Sequence, residues 1–199
     1  MKLVLFLVLL VSGVALAEPV IPALSARTSL VEWETAFRTQ TLEAGLDSFL
    51  PVVFHGSPLK FEQVRPSHST RLSQGKINWE GDAIFATADP RVALFYTYSR
   101  VNGFGGGINL IDFTPPRQPI TYYLYGGQDQ NEALGKLYGG TGYIYALNKQ
   151  FYYREPGLGK MECISRDPGS NLWRIEVDRR REIDALVASG RVILKWSKD

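Results

Sequence analysis

Cysteine is nearly absent: Cys163 is the only one in 199 residues. A lone cysteine closes no internal disulfide, so stability has to come from packing. Histidine is almost as scarce, with His55 and His68 alone. Two histidines and one cysteine do not furnish the ligand set of a structural zinc site, and no metal is expected. Charge of either sign is balanced as well. The 22 Lys and Arg oppose 20 Asp and Glu, for a net charge of +2, and Lys2 supplies one of those charges. Such a balance gives no electrostatic pull toward nucleic acid or a membrane surface. Internal repeats and low-complexity segments are missing too.

A long apolar run occurs at the very start, from Leu3 to Val11, behind Lys2 and ahead of the small residues Ala15 and Ala17. That order describes a secretory signal peptide over residues 1–17, cut between Ala17 and Glu18. The run is short for a bilayer span, and Glu18-Pro19 closes it. The expectation is an exported chain, secreted or periplasmic, with no stable membrane association after cleavage. Residues 18–48 read as a leader followed by a helix over about 30–44, opened by the capping box Ser29-Leu30-Val31-Glu32 and ended at Gly45. Residues 49–199 are enough chain for one domain with a sizeable core.

What the chain does have is aromatics: ten Tyr, ten Phe and four Trp. They suit a β-rich core, and they equally suit a pocket that stacks flat rings. The stretch Val52-Val53-Phe54 reads as a short buried strand that breaks at His55-Gly56-Ser57-Pro58. It sets a polar ring at a strand mouth. Residues 67–80 are polar and read as a loop, in which His68 is a solvated histidine. Gly81 to Thr87 is a second short strand. Asp89-Pro90 is a helix start, with Asp as N-cap and Pro at the first helical position. The helix carries Val92, Ala93, Phe95 and Tyr96.

Asn102 to Gly107 is glycine-rich, but it lacks the Lys-Ser/Thr of a phosphate loop and the spacing of a dinucleotide fingerprint. It reads as a flexible connection. Further strands are expected at 108–113, 120–125, 142–147, 160–165, 173–177 and 191–196, with helices near 131–137 and 181–189. Many short strands with few helices indicate an α+β fold rather than a doubly wound one.

Taken together, His55-Gly56-Ser57, then Ala83-Ile84-Phe85-Ala86-Thr87 running into Ala93-x-x-Tyr96, then Met161-Glu162-Cys163-Ile164-Ser165 resemble the ADP-ribosyltransferase superfamily. This is the fold shared by diphtheria-type toxins and poly-ADP-ribose polymerases. The resemblance spans roughly residues 50–177 and rests on the order of the motifs, each of which is short. It implies two packed, mainly antiparallel sheets with a few flanking helices. It implies NAD as substrate and no metal. His55 would hydrogen-bond a ribose. Gly56, lacking a side chain, would let the nicotinamide carboxamide approach its backbone, with Ser57 beside it. Phe85 and Tyr96 would line the nicotinamide ring. Glu162 would bind a ribose hydroxyl and support the positive charge that develops as nicotinamide leaves.

The chain departs from the family in places. Phe85 stands where tyrosine is usual. Lys160 occupies the place of the second Glu or Gln of the arginine-modifying branch, so that branch is not supported. Phe54 and Gly56 flank the histidine where the RNA 2′-phosphotransferase relatives carry arginines. Glu155 and Glu176 are close enough in sequence to stand as alternatives to Glu162. The implied function is that of an exported effector or toxin, a NAD glycohydrolase or an ADP-ribosyltransferase with a protein or nucleic-acid acceptor. The alternative is a catalytically inactive module of the same fold that binds a nucleotide-like ligand or a protein partner.

Overall fold

The computed structural model describes residues 52–73, 76–98, 105–109, 119–125, 129–158, 162–167 and 171–196. The expected signal peptide, leader and helix at 30–44 lie outside them. The protein is an α+β fold built on two sheets. The larger sheet has six strands: β1 (Val52–Ser57), β2 (Ser67–Ser73), β3 (Lys76–Thr87), β6 (Thr141–Asn148), β7 (Glu162–Ser165) and β8 (Asn171–Asp178). Its order is β2-β3-β1-β6-β8, with β7 also paired to β3, and every pairing is antiparallel. The smaller sheet joins β4 (Gly105–Asn109), β5 (Ile120–Tyr125) and β9 (Val192–Trp196). Here β5 and β9 run parallel.

Strand β1 shows why the apolar run forms a central strand. Val52 and Phe54 face one side and Val53 the other, and all three are buried. A strand covered on both faces needs a continuous apolar run rather than an alternating one. Val52 and Phe54 join a core that takes in Ile144 and Ala146 of β6, Ile120, Tyr122 and Leu124 of β5, and Val192 of β9. Val53 packs on the other face with Ile84, Tyr145 and Leu147. Burying each such side chain is worth about 1.5–3 kcal/mol.

Three helices are described: α1 (Pro90–Phe95), α2 (Gln130–Tyr138) and α3 (Arg179–Ala188). Each starts at an aspartate whose carboxylate accepts a backbone N–H of the first turn: Asp89 from Arg91, Asp129 from Glu132 and Asp178 from Arg181. Among the described residues no helix is long and apolar enough to cross a membrane.

Three expectations are corrected. The strand does not break at His55: β1 runs on to Ser57, with His55, Gly56 and Ser57 opposite Tyr145, Ile144 and Tyr143 of β6. Residues 67–73 and 76–80 are not a loop: they belong to β2 and to the first part of β3, paired from Ser67↔Ala83 to Ser73↔Lys76. His68 therefore lies on a strand. It is exposed, with Glu80 at 3.3 Å and Asp82 at 3.2 Å. Nor is the glycine-rich stretch wholly a connection, since Gly105 to Asn109 pair in register with Thr121 to Tyr125. Backbone pairing to a strong neighbouring strand makes a strand of residues whose own propensity is low.

Candidate functional site

The ladder between β1 and β3 is a single pair, Phe54↔Thr87. Beyond it the His55 ring, not the backbone, reaches the facing strand: Nδ1 lies 2.7 Å from the Phe85 carbonyl oxygen. A carbonyl only accepts, so Nδ1 carries the proton and Nε2 keeps its lone pair. Burial holds the His55 pKa below its usual value, and the bond to Phe85 opposes that shift more weakly. The ring is thus a neutral imidazole with one acceptor nitrogen.

A cavity of about 330 Å³ opens where the two strands part. Its volume is at the small end of the range for small-molecule sites. Strand β1 lines it with Phe54, His55 and Gly56, and β3 with Phe85, Ala86 and Thr87. Strand β2 adds Ser69 and Arg71, and β7 adds Glu162. The far wall is α1, through Val92 and Ala93, with Tyr96 and Tyr98 just past its end. The four residues on which the sequence reading turned, His55, Phe85, Tyr96 and Glu162, are therefore brought to one cavity. Gly56 lines it as well.

Sheet register explains the grouping. Opposed residues of an antiparallel pair share a face. Glu162 is opposite Thr87, and Arg71 is opposite Trp79, three repeats of the pleat from Phe85 on the same strand face. Trp79 meets the Phe85 ring edge-on at 4.9 Å. The Arg71 guanidinium lies 4.0 Å from the Phe85 ring centroid, and its Nη2 is 3.0 Å from Glu162 Oε1.

Helix α1 is fastened by a buried ion pair. Arg91 donates from Nε to Asp89 Oδ1 at 3.1 Å and from Nη2 to Asp89 Oδ2 at 2.7 Å. Its Nη1 reaches the Arg191 carbonyl at 3.1 Å, just ahead of β9. The Tyr122 hydroxyl of β5 donates to the Arg91 carbonyl. The cavity wall is thereby tied to the smaller sheet. On the other side, the Tyr145 hydroxyl accepts the Phe61 N–H at 2.5 Å and donates to the Leu59 carbonyl at 3.2 Å, which steadies the segment after Pro58.

The chain matches no protein-family model, no curated protein and no solved structure. The site therefore has to be read from its own geometry.

Ser57 does not line the cavity. It is buried, and its Oγ accepts the Leu59 N–H at 3.0 Å, closing a turn rather than meeting a ligand. Gly56 has a packing reason that the sequence reading did not foresee. A Cβ there would stand 1.8 Å from the Ala93 carbonyl oxygen, so glycine lets α1 settle against β1. Glu155 is engaged elsewhere: Oε2 accepts from Trp79 Nε1 at 2.5 Å and Oε1 from Arg166 at 2.8 Å. The Trp79 bond holds its carboxyl below the usual range. Glu176 is exposed on β8, opposite Tyr143, and does not line the cavity. Cys163 faces away from Glu162, donates to the Ala86 carbonyl at 3.4 Å, and has its thiol pushed up to about 11 by burial. That environment suits packing and not nucleophilic attack. Arg71 and Ser69 went unrecognised because their strand was read as a loop. The one signal available was Gln74-Gly75, a glycine-containing break, and it is weak because the residues before it carry no apolar period.

Proposed function

We propose that the protein is an exported NAD-consuming enzyme with an ADP-ribosyltransferase-like fold, a NAD glycohydrolase or an ADP-ribosyltransferase, and that this cavity takes the nicotinamide end of the substrate. The observation that carries this reading is the convergence of His55, Phe85, Tyr96 and Glu162 on one cavity from four separate segments. A flat apolar ring calls for aromatic walls, supplied by Phe85 and Tyr96. A ribose hydroxyl calls for an acceptor, supplied by Nε2 of the neutral His55. A cation growing at the anomeric carbon calls for a nearby carboxylate, supplied by Glu162.

In the reaction the bond between the ribose anomeric carbon and the pyridinium nitrogen breaks, and its electron pair goes to that nitrogen. Neutral nicotinamide leaves. A water oxygen, or a nucleophile on an acceptor, bonds to the anomeric carbon and releases a proton. Glu162 stabilises the oxocarbenium-like state between the two events. The test is release of free nicotinamide from NAD by the purified protein, with Glu162→Gln as control. Release that vanishes in E162Q supports the enzyme; release that persists in E162Q removes Glu162 from its role. Transfer of label to a protein or nucleic-acid acceptor separates transferase from hydrolase.

One observation favours a second reading, the inactive module. The Arg71–Glu162 ion pair neutralises the carboxylate that catalysis needs. NAD binding without nicotinamide release is the outcome that reading expects.

A further inference from the structure

Three observations meet on the Arg71 guanidinium. It lies 4.0 Å from the Phe85 ring centroid. It pairs with Glu162 at 3.0 Å. Its Nε is buried with no hydrogen-bond partner among the described residues. Among the described residues that line the cavity, it is also the one side chain with a fixed positive charge.

A buried N–H without an acceptor is destabilising, and a ligand that supplies the acceptor recovers that loss. The planar fork of a guanidinium matches the oxygens of a phosphate, which can engage two of its N–H groups at once. The pair with Glu162 occupies the same fork. A ligand phosphate and the Glu162 carboxylate are therefore competitors for one cation.

We propose that Arg71 determines the substrate class of this cavity: it selects ligands that carry a phosphate beside the flat ring, and the phosphate draws it away from Glu162. This inference rests on the nicotinamide reading. Held by Arg71, Glu162 is neutralised and supports a growing cation poorly. A phosphate that takes over the guanidinium removes that neutralising charge from the carboxylate facing the anomeric carbon. A neutral sugar offers no such exchange, so a compound with the same ring and the same scissile bond but no phosphate leaves the pair closed. Substrate selection and activation of Glu162 are then one event.

The experiment compares nicotinamide release from NAD and from nicotinamide riboside, which lacks phosphate, in wild type, Arg71→Gln and Arg71→Lys. Wild type is expected to favour NAD in kcat/KM by about 100-fold or more, the scale of two charge-assisted hydrogen bonds. R71Q is expected to lose most of that preference in two directions, cleaving NAD more slowly and the riboside faster. R71K keeps the charge without the fork and falls between them. Near-UV circular dichroism checks that the variants keep the fold, and R71K carries the comparison if R71Q does not. ADP-ribose binding by calorimetry reads the phosphate contact without turnover, with affinity at least about 10-fold weaker in R71Q. An unchanged NAD-to-riboside ratio together with unchanged ADP-ribose affinity overturns the role of Arg71 and leaves the nicotinamide reading standing. A wild type that neither binds nor cleaves either compound overturns both.

Discussion

His55 Nδ1 lies 2.7 Å from the carbonyl oxygen of Phe85, joining the two strands at the point where their backbones cease to pair. This bond fixes the tautomer and leaves Nε2 as an acceptor, and burial lowers the pKa below the ordinary 6.5. Between the lowered folded value and 6.5 the unfolded chain binds a proton that the folded chain refuses. Stability therefore falls as pH drops through that window, and this contribution levels off below the folded value. Urea unfolding at about pH 7.5 and about pH 5 should show a larger loss for wild type than for His55→Gln. Equal losses contradict the assignment. Ligand affinity should weaken only at still lower pH, below the folded value, where protonation of Nε2 in the folded protein removes the acceptor.

Gly56 and α1 make a prediction about shape. A Cβ on residue 56 would meet the Ala93 carbonyl oxygen at 1.8 Å and the carbonyl carbon at 2.8 Å. Both are backbone atoms, so no rotamer change relieves the clash. Gly56→Ala should cost about 3 kcal/mol or more, at or beyond the upper end of ordinary overpacking, and should displace the wall that carries Val92 and Ala93. Gly135→Ala is the matched control. It sits within α2, where an added Cβ meets nothing, and should stabilise by about 0.5–1 kcal/mol. Denaturant unfolding of the two variants checks both signs.

Asp89 does two tasks at once, capping α1 and neutralising Arg91. Both side chains are 2% exposed. Asp89→Asn keeps an acceptor for the Arg91 N–H but removes the negative charge set against the buried guanidinium. The expected loss is about 3–5 kcal/mol, the scale for removing one partner of a buried pair. Thermal unfolding reads it. A loss confined to the scale of a lost cap, about 1 kcal/mol, would show that the ion pair contributes little.

The sequence was legible where one residue type has one physical use. Asp89-Pro90 marked the start of α1 because Pro needs no N–H there and Asp supplies the missing acceptor. Val52-Val53-Phe54 marked a short buried strand, although not its continuation to Ser57, and β5, β6 and β8 stood out by their β-branched and aromatic residues. His55, Phe85, Tyr96 and Glu162 were legible as a set, by their order along the chain. Strand β2 was not legible, because Ser, His, Thr and Arg carry no apolar period and its pairing depends on β3. With it went Arg71, whose place at Phe85 and Glu162 is a matter of register and not of local sequence. The role of Gly56 was half legible. A glycine lining the cavity was readable, whereas a glycine under the Ala93 carbonyl depends on where α1 packs.

The most direct test of the nicotinamide reading is a crystal of the protein soaked in nicotinamide. Ring density is expected against Phe85 and Tyr96, with the carboxamide bonded to the Gly56 backbone. Density at another place, or a cavity still empty at saturating concentration, contradicts it.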